Sequence, residues 1–227
     1  LQVSEVWSVR TMYIKRKPLT PAESARRQMM LTAALAAVLP WPAKSANAAG
    51  QVALEGVELD ETITAYGQKL YLNGAAVRKR GYYKADVTAL YLPQKTTNPD
   101  HIFKLNGVRR VQLNLLRDFT SATISRIFIA DFKQVASDAE FKQLINEIGQ
   151  IGSVYAAIPR VGKGDVINLD WVPGKGWMCF QNGKQIVTDM VPSGSINSEL
   201  AFQIYMRMYI GQAAPENYRN GLLGIKD

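Results

Sequence analysis

Apolar and polar residues alternate along several stretches of the first half of the chain. Residues 52–57, followed by Glu58-Leu59-Asp60, read as a first strand. Residues 68–77 carry Leu70, Leu72, Ala75 and Val77 around an internal Asn73-Gly74, which fits either a hairpin turn or a bulged strand. Residues 82–92 are rich in β-formers and stop at Pro93. Residues 108–116 set Val111, Leu113 and Leu115 against Arg110, Gln112 and Asn114, predicting a strand wet on one side. Between these last two, residues 98–105 predict a short helix with Asn98 as cap and Pro99 in its first turn.

The period then changes from two to about 3.6. Thr120 or Ser121 caps a helix carrying Ile124, Ile127, Phe128 and Phe132, and a second helix is expected over 138–148 with Phe141, Leu144, Ile145 and Ile148 on one face. A β-meander follows: strands over 166–172, 177–181 and 184–187, separated by Pro173-Gly174-Lys175-Gly176 and by Asn182-Gly183. Residues 195–210 predict a helix ending at Gly211, and 216–223 a last turn. Strands first, then helices, then strands and a helix make an α+β domain: an antiparallel sheet covered by a layer of helices, with a cleft between the layers.

Composition narrows the picture. With 47% apolar and 20% charged residues in 227, the chain is a foldable globular one. Its formal charge of +8 is uneven, because residues 1–48 hold seven Lys/Arg against two acids, leaving 20 basic and 17 acidic residues for the remainder. The basic excess sits at the N-terminus, so no nucleic-acid partner is read from it. In that segment Arg26-Arg27 precede an uncharged apolar run over 29–39, then Pro40-Trp41-Pro42 and the small-residue pattern Ala46-Asn47-Ala48. This is the layout of an export signal, with cleavage near Ala48 and a periplasmic or secreted domain over 49–227. A twin-arginine form and the general form both fit. The apolar run is too short to span a bilayer, so no integral membrane span is expected in the mature chain.

The chemistry-bearing residues are few. One Cys (Cys179) and one His (His101) exclude an internal disulfide and any multi-His or Cys/His zinc site. His101 sits in a polar, turn-like stretch, and no nucleophile elbow or phosphate loop occurs, so neither metal nor cofactor is expected. Cys179, in Trp177-Met178-Cys179-Phe180, reads as a buried small apolar residue. Arg109, Arg110 and Arg117 read as a solvated sheet face, with contact to anionic lipid as the alternative.

The segments Leu72-Asn73-Gly74-Ala75-Ala76-Val77-Arg78 and Thr88-Ala89-Leu90-Tyr91-Leu92 resemble the LNGxGxR and LYL core of chalcone isomerase-like proteins, with Ala76 in place of the second glycine. Lys163-Gly164-Asp165, Asn182-Gly183, Tyr209-Ile210-Gly211 and Leu222-Leu223-Gly224 fit the bacterial branch of that family in order and spacing. The resemblance covers most of 50–225 and implies an open-faced β-sandwich with a helical layer. Some members of the family close a chalcone into a flavanone; others bind fatty acids without known catalysis. In both, the arginine of the VR motif holds an anion in the cleft, which carries over to Arg78. A guanidinium is permanently charged and can fork two hydrogen bonds onto a carboxylate or phenolate. The competing reading is a structural pair of Arg78 with Asp86 or a Glu.

Measured against the isomerase pattern, the chain departs at several positions. Asp86 stands where the enzyme has Thr, Leu116-Arg117-Asp118-Phe119-Thr120 lacks the enzyme's Tyr, Ile127 and Phe128 fall near its helix Asn, and Met208 near its Ser/Thr. The donors that would stabilise developing charge are therefore absent at these positions. The expectation is an exported, non-catalytic binding protein for a fatty acid or similar amphipathic anion. Its expected ligand-binding residues are Arg78, Asp86, Tyr82, Tyr91 and Thr120. An intramolecular lyase of chalcone isomerase type and an interaction protein with a filled cleft remain the alternatives.

Overall fold

The computed structural model describes residues 50–158 and 160–225, so the expected export signal lies outside the described residues. The first alternating stretch is a hairpin rather than one strand. β1 (Gln51–Leu54) and β2 (Val57–Asp60) turn through Glu55-Gly56, where both residues take positive φ (52° and 76°), the mirror-type turn that matches strand twist. Tyr66-Gly67 repeats the device between β3 (Thr62–Ala65) and β4 (Gln68–Arg80). β4 is one strand of 13 residues. β5 (Tyr83–Leu92), β6 (Arg109–Leu115), β9 (Val166–Val172), β10 (Gly176–Gln181) and β11 (Lys184–Gln185) complete an antiparallel sheet of order β11-β10-β9-β6-β5-β4-β3. A separate short pair joins β7 (Phe119–Thr120) to β8 (Arg160–Val161).

The local helix signals are read correctly by the chain. α1 (Pro99–Phe103) starts at Asn98, whose side chain accepts from the Asp100 N–H. α2 (Ser121–Val135) is capped by Thr120. The helix expected over 138–148 divides at Leu144 into α3 (Asp138–Gln143), opened by a Ser137–Glu140 capping box, and α4 (Ile145–Ala156). The break lets Leu144 stay buried while α4 turns Ile148, Ile151 and Tyr155 onto the core. Ser195 and Ile196 belong to β12 (Ser195–Ile196), which pairs with β10, so α5 (Glu199–Ile210) begins four residues later than expected, capped by Ser198. α6 (Glu216–Leu223) closes the described chain and ends at Gly224 in the left-handed region.

One face of the sheet packs against α2, α4, α5 and α6 through Leu90, Val111, Leu113, Trp171 and Trp177. The opposite face carries Leu70, Leu72, Val87, Ala89 and Tyr91, with Leu54, Val57 and Leu59 of the β1–β2 hairpin packed on it. The expected basic cluster is divided by this alternation. Arg109 lies under the helices at 1% exposure, donating to the Phe103 carbonyl and paired with Glu199. Arg110 points to the other face and Arg117 is exposed. Cys179 is buried, as expected, and burial pushes its thiol up to about 12.

Candidate ligand-binding site

The side of the sheet that Arg78 faces is set by one extra residue. Leu70 and Leu72 point away from the helices. Simple alternation would send Ala76 and Arg78 the same way. The register runs from Leu72↔Tyr91 to Gly74↔Leu90, skipping Asn73. This bulge reverses the parity, so Ala76 and Arg78 turn to the helical side. Asn73-Gly74 is therefore no turn. The Asn73 side chain is buried, donating to the Leu222 carbonyl (2.9 Å) and accepting from the Thr96 N–H (2.8 Å). A Cβ on Gly74 would stand 2.1 Å from the Gly221 carbonyl oxygen, so only glycine lets α6 approach β4 this closely.

That approach brings Tyr218 of α6 over the sheet. Its hydroxyl donates to Thr88 Oγ1 (2.7 Å), Thr88 donates to Asp86 Oδ1 (2.6 Å), and Arg78 Nε donates to Asp86 Oδ2 (2.8 Å). Asp86 is fully buried, and the Arg78 side chain is 20% exposed. The Arg78 guanidinium lies over the Tyr209 ring, 5.5 Å from its centroid. Burial works against the Arg78 charge, but the Asp86 carboxylate together with the neighbouring Tyr209, Tyr218 and Tyr205 holds the guanidinium above its usual range. Burial raises the phenols of Tyr155, Tyr205, Tyr209 and Tyr218, so all four remain protonated beside it.

Among the described residues, no protein group accepts from the two terminal nitrogens of Arg78; only Nε is engaged. Arg78 lines two neighbouring hollows. The inner one, about 70 Å³, is walled by Leu113, Ile127, Phe128, Tyr155, Ile167 and Met208. The outer one is an open cleft of about 630 Å³ between β4, α2 and the start of α6, with Lys79, Gln134 and Pro215 on its walls. Arg78, Arg80, Asp131 and Met208 border both. Arg80 and Asp131 form an ion pair across this boundary. The charged side chains around the inner cavity are thus Arg78, Arg80, Asp86 and Asp131, two of each sign.

Of the residues expected at the site, Arg78 and Asp86 meet there. The other three lie elsewhere. Tyr82 is fully exposed in the turn between β4 and β5. Tyr91 is one residue out of phase with Leu90 and faces the opposite side, its hydroxyl donating to the Asp60 carbonyl (3.0 Å). Thr120 spends its hydroxyl capping α2, accepting from the Thr123 N–H. The expectation for Ile127, Phe128 and Met208 is met by position: all three wall the cavity and offer no hydrogen-bond donor. Tyr155 and the Arg80–Asp131 pair escape sequence reasoning. Tyr155 lies two turns beyond Ile148 on one helix face, a signal hidden by ending that helix too early.

No curated protein sequence matches this chain. Among solved structures it is similar to a fatty-acid binding protein of Arabidopsis thaliana, with a TM-score of 0.61 at 14% identity, over 77% of this chain and 96% of that one. That likeness concerns the fold, a curled antiparallel sheet with a helical layer. The profile of the family described as chalcone isomerase-like matches residues 51–224. A family match over that span, on a sheet whose bulge turns the VR arginine under the helices, makes this chain a member of the chalcone isomerase-like family.

Proposed function

We propose that the protein is an exported, non-catalytic binding protein for a fatty acid or similar amphipathic anion, with the polar head at Arg78 and the tail against the apolar wall. The observation that carries this reading is the open fork of Arg78. Asp86 takes Nε alone, which leaves both terminal nitrogens without a protein acceptor, among the described residues, at the edge of an apolar hollow. A carboxylate is the acceptor whose two oxygens fit that fork. The cavity's charges already cancel, so attraction comes from directed N–H donors rather than net charge, and binding should depend little on salt. Each methylene buried in the hollow adds about 0.8 kcal/mol. Export rests on the N-terminal pattern of Arg26-Arg27, the apolar run and Ala46-Asn47-Ala48.

Size favours a second reading. At about 10–15 Å³ per water, 70 Å³ holds only a few waters, which supports an interaction protein with a nearly filled cleft. Under the binding reading a longer tail enters by displacing Met208, an unbranched side chain that borders both the hollow and the cleft. The lyase alternative is weakened at the positions of Ile127, Phe128 and Met208, which cannot order water or donate to an oxyanion, so any such donor would have to be Arg78 or the hydroxyls of Tyr155, Tyr205 and Tyr209 in the same cavity.

Denaturing mass spectrometry of the purified protein, followed by titration with fatty acids of graded length, separates these readings. A co-purifying acid, or saturable binding that drops at least tenfold in Arg78→Gln/Asp86→Asn, supports the carrier. The double variant keeps the pair neutral and avoids stranding a buried charge. No bound lipid and no saturable binding at any length would leave the filled cleft. Turnover of chalcone that disappears in the same variant would establish the lyase.

A further inference from the structure

We infer that the turn joining β4 to β5, Lys79 to Lys84, docks the protein on an anionic lipid surface. Tyr82 stands wholly clear of the fold and packs against nothing in it. Tyr83 beside it is 42% exposed, with the Arg117 guanidinium 4.0 Å above its ring centroid. Packing accounts for the Tyr83 ring under Arg117 but not for Tyr82. The tip carries four cations, Lys79, Arg80, Lys84 and Arg117, against the acids Glu55 and Asp131 that pair with Lys84 and Arg80. Lys79 and Arg117 are left exposed with no carboxylate partner among the described residues. Amphipathic rings flanked by unpaired cations suit the headgroup layer of a negatively charged bilayer, where the ring settles at the interface and the cations meet phosphates.

The place of the tip in the fold gives the docking a purpose. Tyr82 lies four residues beyond Arg78, in the turn that follows β4. Lys79 and Arg80 form part of the cleft wall. A protein resting on this tip holds the mouth of the cleft at the lipid surface, where an amphipathic ligand could be exchanged. This last step rests on the binding proposed above; the docking does not.

The test is co-sedimentation of the full chain with vesicles of phosphatidylcholine alone and of phosphatidylcholine with phosphatidylglycerol. Wild type is compared with Tyr82→Ser and Lys79→Ser. Both positions are exposed, so both variants should fold, and melting curves check this. The expected result is binding to the anionic vesicles alone, weakened by salt and about fivefold weaker without Lys79, the equivalent of about 1 kcal/mol. Tyr82→Ser should also weaken it. No vesicle binding, or variants that sediment like wild type, would overturn the inference, the latter placing the contact elsewhere on the chain. A single-stranded oligonucleotide that binds more tightly than vesicles, with the same loss in both variants, would overturn it in favour of nucleic acid. Fatty-acid titration without vesicles should be unchanged in Tyr82→Ser. Loss of fatty-acid binding in wild type with vesicle binding intact would remove the cavity reading and leave the docking.

Discussion

The two faces of the sheet carry the same chemical pair in two different states. On the helical face, Arg78 meets Asp86 across β4 and β5; on the opposite face, Arg110 meets Asp170 across β6 and β9. Both carboxylates are fully buried and both guanidiniums nearly so, at 20% and 16% exposure. Each aspartate has a second donor, Thr88 in one case and the Tyr66 hydroxyl in the other. The difference is the fork. Arg110 donates through Nε and Nη2, each at 2.7 Å, and closes on its partner. Arg78 donates through Nε alone and keeps its far end beside a cavity. Arg110–Asp170 can be read as a finished structural bond, whereas Arg78–Asp86 positions a cation for something else. Burial of an ion pair does not by itself separate the two roles; the count of unused donors does.

The largest expected effect tests the structural side. Arg110→Ala strands Asp170 with only the Tyr66 hydroxyl and should cost about 3–5 kcal/mol in denaturant unfolding. Protein that remains folded at low temperature should still bind fatty acid. An Arg110→Ala variant as stable as wild type would break the contrast between the pairs.

Next comes the device that aims Arg78. Gly74→Ala drives a Cβ onto the Gly221 carbonyl, a backbone atom that cannot swing aside. Overpacking of this kind costs about 1–3 kcal/mol. It should also pull Tyr218 off Thr88 and reduce ligand binding at Arg78, while the Arg110–Asp170 face is undisturbed. Equal stability and unchanged binding would show that α6 does not hold the site.

The smallest effect is a single phenol's share of a pH dependence to which both faces contribute, since burial also raises Tyr66 and Tyr91 on the opposite face. Burial raises the phenols of Tyr155, Tyr205, Tyr209 and Tyr218 above their unfolded value of about 10. The stability they contribute is complete below that value. It is lost as pH rises toward the folded values, because the unfolded chain releases these protons first. Each contributes up to about 1.4 kcal/mol per pH unit in that window. Melting at about pH 9 and about pH 11 should show a steep fall for wild type and a shallower one for Tyr205→Phe. An unchanged slope would mean that the aromatic cluster opens to water before it titrates.

Much of this molecule was legible in its sequence, and what was legible was local. Asn98 and Thr120 satisfy helix N–H groups within a few residues of themselves, and Asn182-Gly183 turns a hairpin with its own backbone, so spacing alone reports them. The motif around Asn73 was visible as letters, and so was the bond of Arg78 to Asp86 as one of two readings. Tertiary structure decided what those letters do. Whether Asn73-Gly74 turns the chain or bulges depends on Gly221 and Leu222 packing against it from nearly 150 positions away. That single choice fixes the parity of β4 and so the face on which Arg78 lies. Ordinary alternation on β5 carries Tyr91 away from the site, and on β6 it divides Arg109 from Arg110. Alternation along a strand is written in sequence, but which phase meets the helices is a long-range packing result, and no stretch of residues contains it alone.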